Sequence, residues 1–152
     1  MPRYALAAAF LVSAGTLLAH CQVPCGIYAD QRRFELMLED EHTVAKAQAE
    51  LGKLVGEEVT PQTVNQMVRW TTTKEEHAQR IQQTMLDYFL AQRIKSDGER
   101  YDQRLKSAHA VIVAAMKCKQ SADPDTAKTL EEAIFDFYRA YEGREPDFDH
   151  EH

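Results

Sequence analysis

From residue 34 onward, apolar positions recur three and four residues apart, the interval at which one face of an α-helix repeats. Phe34, Met37, Leu38, Val44, Ala45, Leu51 and Val55 form the first such stripe, and Gly52 and Gly56 mark its weakening end. Thr60-Pro61 then signals a new start. Threonine can cap the exposed amides, and proline at the first helical position gives up an N–H that has no partner there. The second stripe carries Val64, Met67, Val68, Ala78, Ile81, Met85, Tyr88 and Phe89, with the β-branched run Thr71 to Thr73 expected to loosen it. Ser96-Asp97-Gly98 breaks the pattern. A third stripe follows with Tyr101, Leu105, Ala108, Ile112 and Ala115 or Met116. Asp123-Pro124 repeats the cap-and-proline signal before Ala127, Leu130, Ile134, Phe137, Tyr138 and Tyr141, and Gly143 ends that helix. No stretch alternates as a strand does. Four amphipathic helices joined by short turns predict an all-α, antiparallel up-down four-helix bundle over residues 30–142, followed by an acidic tail at 143–152.

The first 19 residues have a different character. One basic residue, Arg3, precedes an apolar run from Ala5 to Ala19 that ends on a small residue, as a secretory signal peptide does. The run is short for a membrane span and lacks a basic flank to stop transfer. Residues 1–19 are therefore expected to be a leader, removed by a protease between Ala19 and His20. The processed chain would be exported, periplasmic or extracellular, with no stable membrane association. Leu18-Ala19-His20-Cys21 also has the outline of a lipoprotein site, but a histidine stands where a small residue belongs. The whole chain carries a net charge of −6 and no basic stripe, which argues against a nucleic-acid partner. An acidic chain offers no overall steering to an anion, so any attraction must come from local lysine or arginine.

The expected cut exposes the most chemically loaded segment, residues 20–29. His20-Cys21-Gln22-Val23-Pro24-Cys25-Gly26-Ile27-Tyr28 holds an imidazole, two thiols and a phenol, and cleavage adds a free α-amine. Thiolates with nitrogen donors suit soft or borderline metals, and a planar N,S set suits Ni(II) or Cu(II) better than tetrahedral zinc. His20, Cys21 and Cys25 are thus the candidate metal ligands, in an N-terminal metal-binding hook. A disulfide between Cys21 and Cys25 is the competing outcome for an exported protein. Cys118 has no obvious partner and reads as a small buried thiol. His42 and His109 show no carboxylate or thiol cluster of their own in sequence, and His77 reads as a helix-surface residue. His150 and His152 lie in the tail.

His20-Cys21-x-x-Pro24-Cys25-Gly26-x-Tyr28 is similar to the nickel hook of nickel-containing superoxide dismutases. The likeness continues through Trp70, Lys74-Glu75-Glu76-His77 and Asp87-Tyr88-Phe89 to Met116-Lys117-Cys118-Lys119-Gln120. It implies a homohexamer of four-helix subunits with a nickel ion, converting superoxide anion to oxygen and hydrogen peroxide by Ni(II)/Ni(III) cycling. The implied donors are the amine and ring of His20, the amide and thiol of Cys21, and the thiol of Cys25. Tyr28 and Tyr88 match tyrosines beside the open face of the metal. Glu35 matches, across a one-residue gap, the carboxylate that orients the axial imidazole. Gln22 stands where some members have aspartate, and His77 where some have an arginine supporting that contact. The alternative function is an exported nickel- or copper-binding module without turnover.

Overall fold

The computed structural model describes residues 29–148. The leader, His20, Cys21, Cys25 and Tyr28 of the hook, and the tail histidines His150 and His152 lie outside the described residues. Within them the chain forms α1 (Asp30–Leu54), α2 (Pro61–Gln83), α3 (Tyr101–Gln120) and α4 (Pro124–Glu142), with no strand among the described residues. Each helix packs on its neighbours in sequence and α1 also packs on α4, so the four close into an up-down bundle.

The sequence signals act where local chemistry puts them. Thr60 accepts from the Thr63 amide at 3.1 Å, and Thr63 Oγ1 accepts from the Thr60 amide at 2.7 Å, a reciprocal cap ahead of Pro61. Asp123 Oδ1 accepts from the Asp125 amide at 3.1 Å at the start of α4. Gly143, at φ 76°, ends α4 in the left-handed conformation and returns its amide to the Arg139 carbonyl at 2.9 Å. The Thr71–Thr73 run, by contrast, does not loosen α2, which stays regular α-helix to Gln83. The departure comes later, as a π-helical segment at Thr84–Arg93 that continues α2. Its wider winding returns the Ile94 amide to the Phe89 carbonyl five residues back, at 2.8 Å. Met85 and the consecutive Tyr88 and Phe89 are all buried on it.

The stripes on α1 and α4 bury as expected, with Phe34, Met37, Leu38, Val44 and Leu51 facing Leu130, Ile134, Phe137 and Tyr138 in the core. Four positions of the expected stripes are corrected. Val55, just past the end of α1, and Val64 and Val68 on α2 are 81%, 46% and 60% exposed. Leu105 is exposed as well, and α3 buries Ala108, Val111, Ala114, Ala115 and Cys118 instead. An alanine-rich helix with Val111 and Ile112 side by side supports either of two neighbouring faces, and packing chose between them.

Aromatic rings gather at the end of the bundle where α1 begins. Phe34 lies 4.9 Å from Phe89, 5.3 Å from Phe137 and 4.9 Å from Tyr138, centroid to centroid. These tilted and edge-on pairs make a stiff floor under the first turn of α1.

Candidate metal centre and its supporting carboxylate

Asp30, the first residue of α1, is the point at which the bundle receives the chain from the hook. Its Oδ1 accepts from the Tyr88 hydroxyl at 2.5 Å. Its Oδ2 accepts from the Tyr141 hydroxyl at 2.8 Å and from Arg93 Nη2 at 2.6 Å. One carboxylate thus joins α1, the π segment and α4. Arg33 lies with its guanidinium 5.1 Å from the Tyr88 ring centroid, and Arg93 at 5.8 Å, so two cations flank that phenol.

Burial alone would raise the Asp30 pKa, but the bonds from Arg93, Tyr88 and Tyr141 outweigh it and hold the carboxyl below its ordinary value. Burial, and then the bond to Asp30, push both Tyr88 and Tyr141 up to about 12. Both phenols therefore keep their protons near neutrality and act as donors. Because the folded carboxyl gives up its proton at lower pH than the unfolded one, the unfolded state binds more protons in between. Stability from this cluster is present above the ordinary aspartate range and is lost as pH falls through the folded value. Asp30→Asn is expected to lower stability by about 2 kcal/mol at pH 7, with the difference shrinking at pH 3. Urea midpoints at the two pH values check this, and an equal loss at both would contradict it.

Among the residues expected at the site, Tyr88 is buried and held as described, at 9% exposure. Glu35 is half-buried, and Arg32 donates to it at 3.2 Å. Five residues along α1 place it roughly 140° around the helix from Asp30, so the two carboxylates serve different faces. His77 is corrected from a solvated residue to a paired one. Its Nδ1 lies 2.6 Å from Asp40 Oδ1, with Arg80 3.6 Å from the same oxygen, and this tie joins α2 to α1. Cys118 is fully buried and donates weakly to the Thr126 carbonyl at 3.2 Å; burial raises its pKa. His42, expected to stand apart, instead faces Glu41 and Glu131.

Three residues were given no role by the sequence. Asp30 and Tyr141 are ordinary helix residues until folding brings them together across 111 positions. Lys74 is 3% exposed and donates to the carbonyls of Cys118 and Lys119, each at 2.6 Å, and to Glu75 at 3.0 Å. It closes the carboxyl end of α3 and so joins Lys74-Glu75 to Cys118-Lys119 in space. Redox nickel calls for thiolate donors. Cys118, the one cysteine among the described residues, is enclosed in the core and is not placed to supply one.

The family model for nickel-containing superoxide dismutase matches residues 15–144, a span that takes in the hook and all four helices. The chain belongs to this family. Membership makes it an oxidoreductase acting on superoxide, with nickel as its cofactor. No curated protein and no solved structure matches the chain.

Proposed function

We propose that the working site of this superoxide dismutase is the chain terminus created by a cut between Ala19 and His20. His20 would supply its α-amine and imidazole, Cys21 its amide and thiol, and Cys25 its thiol. The nickel ion, when bound, would supply the one-electron Ni(II)/Ni(III) couple that dismutation requires. Asp30 is the observation that carries this reading. It stands five positions after Cys25, a stretch of chain that reaches at most about 18 Å. Its ties to Tyr88, Tyr141 and Arg93 hold the first residue of α1 at the aromatic end of the bundle, which supports a hook close to that end.

The residues around it then have separable tasks. Arg33 and Arg93 give local positive charge in a chain of net charge −6, and so draw an anion to one end of the bundle. Tyr88 holds its proton, and its ring is fixed between two guanidiniums. Tyr28, two residues before Asp30, would limit access to the metal and place water, which delivers the protons that peroxide needs. Glu35 would orient the His20 imidazole from α1, a support that fixes a ligand ring and its tautomer.

The apolar residues left uncovered at the α1–α2 end, Val55, Val59, Val64 and Val68, support assembly of subunits, for which we propose the homohexamer. The leader supports export, with its removal by a protease. No helix among the described residues is long and apolar enough to cross a membrane.

The test is Cys21→Ser in the processed chain, read by nickel content and superoxide decay. Activity is expected to fall to the uncatalysed rate, with the helical fold and unfolding midpoint unchanged. Undiminished activity in this variant would refute the donor set. Nickel bound by the unaltered protein without superoxide consumption would select a binding module in place of an enzyme.

A further inference from the structure

Midway along the bundle, α1 and α4 bring together three side chains that have no part in the site described above. The metal-binding atoms of Glu41, His42 and Glu131 all lie within 4.8 Å of one another. His42 Nε2 is 3.7 Å from Glu41 Oε2 and 3.9 Å from Glu131 Oε1. Donors bonded at zinc distances in a tetrahedral shell stand about 3.4 Å apart. Rotamer adjustment of the partly exposed His42 and Glu131 side chains, on the order of 1 Å, would close this shell.

Acidic groups often gather on helix surfaces without consequence, and Glu41 is what separates this cluster from such cases. Its side chain is only 4% exposed, it takes no hydrogen bond among the described residues, its ion-pair contact is the partly exposed His42 at 3.7 Å, and it faces the like charge of Glu131. The Cys118 thiol also lies within its field. Burying a carboxylate without hydrogen bonds or a paired cation is strongly unfavourable. We infer that Glu41, His42 and Glu131 form a second metal site, taking a zinc-class divalent cation that ties α1 to α4. One imidazole nitrogen and two carboxylate oxygens suit that ion. His42 and Glu131, 37% and 38% exposed, leave the outer side of the site open to water as a fourth ligand. In the absence of a cation, burial and the facing Glu131 push the Glu41 carboxyl up to about 8, so that a proton occupies the place of the positive charge.

The site is distinct from the hook. Glu41 lies eleven residues along α1 from Asp30, about 16 Å of helix, and its donors include no sulfur. The inference therefore stands or falls independently of the nickel ligands.

The experiment titrates zinc chloride into the nickel-loaded, processed protein and follows bound zinc by equilibrium dialysis. One zinc per chain beyond the nickel is expected, together with a rise of about 5 °C in the unfolding midpoint at saturating zinc. Glu131→Gln and His42→Ala each remove a partly exposed ligand without emptying the core. Each is expected to weaken zinc binding at least ~10-fold and to leave nickel content and dismutation unchanged. His150→Ala with His152→Ala removes the tail donors and should retain the zinc. Cys21→Ser with Cys25→Ser removes the hook thiols and should retain it too. Failure to bind the extra zinc would overturn the site, as would zinc that survives Glu131→Gln and His42→Ala or disappears with the tail or hook substitutions.

Discussion

A chain in which Ala19 remains joined to His20 is expected to dismutate superoxide at least ~100-fold more slowly than the processed chain, about 2.7 kcal/mol of barrier. One peptide bond makes the difference. An α-amine titrates near 8 and can release a proton to bind a metal. An amide nitrogen in its place has no comparable lone pair, and the extra residue also redirects the backbone that sets the His20 ring. Two thiols would remain, so metal binding would weaken without vanishing, while the fitted donor set would be lost. The bundle begins at Asp30, so its unfolding midpoint should be unaffected. That contrast separates a chemical defect from a folding one. Superoxide decay measured on Ala19-extended and processed chains, with nickel content for each, checks the prediction. Equal activity at equal nickel would exclude the amine as a donor.

Lys74→Met is expected to have the largest effect on stability, a loss of about 3 kcal/mol. The Lys74 ammonium is enclosed and has three acceptors, the carbonyls of Cys118 and Lys119 and the Glu75 carboxylate. Methionine matches the stem in length and preserves its packing, so the substitution removes the charge and the hydrogen bonds with little else. Two carbonyls at the end of α3 would then be left without their donor, in a place where the helix dipole favours a cation. Chemical unfolding of both proteins reads the difference directly. A loss under about 1 kcal/mol would mean that water replaces the ammonium there. Lys74→Arg is not expected to rescue it, because a planar guanidinium does not fit a space shaped for a compact ammonium.

These two predictions draw on different parts of the chain, and they were unequally legible. The hook chemistry is written in consecutive residues, so ligand type and spacing can be read directly from His20 to Cys25. Lys74 stood within the family likeness, but nothing in the sequence marked its role. A lysine on an amphipathic helix is ordinarily solvated, and nothing near it in sequence marks the carbonyls 44 residues away that bury it. Val64 and Val68 misled in the opposite direction. Their spacing on α2 matches a core stripe, yet they stand 46% and 60% exposed. His42 shows the same limit: Glu41 is its neighbour in sequence, but Glu131 arrives only when α4 packs on α1.

The sequence by itself determined the four helices, the caps that start and end them, and the donor types that residues 20–28 offer. Each depends on interactions within a few residues: a threonine or aspartate capping amides two or three positions on, a glycine ending α4, and thiols four residues apart. Only the tertiary structure decided which polar groups leave water and what meets them there. Asp30 acquired Tyr88, Arg93 and Tyr141, Lys74 acquired the end of α3, and Glu41 acquired Glu131. A buried charge is set by whatever surrounds it in space, and those surroundings come from distant segments that no local pattern encodes.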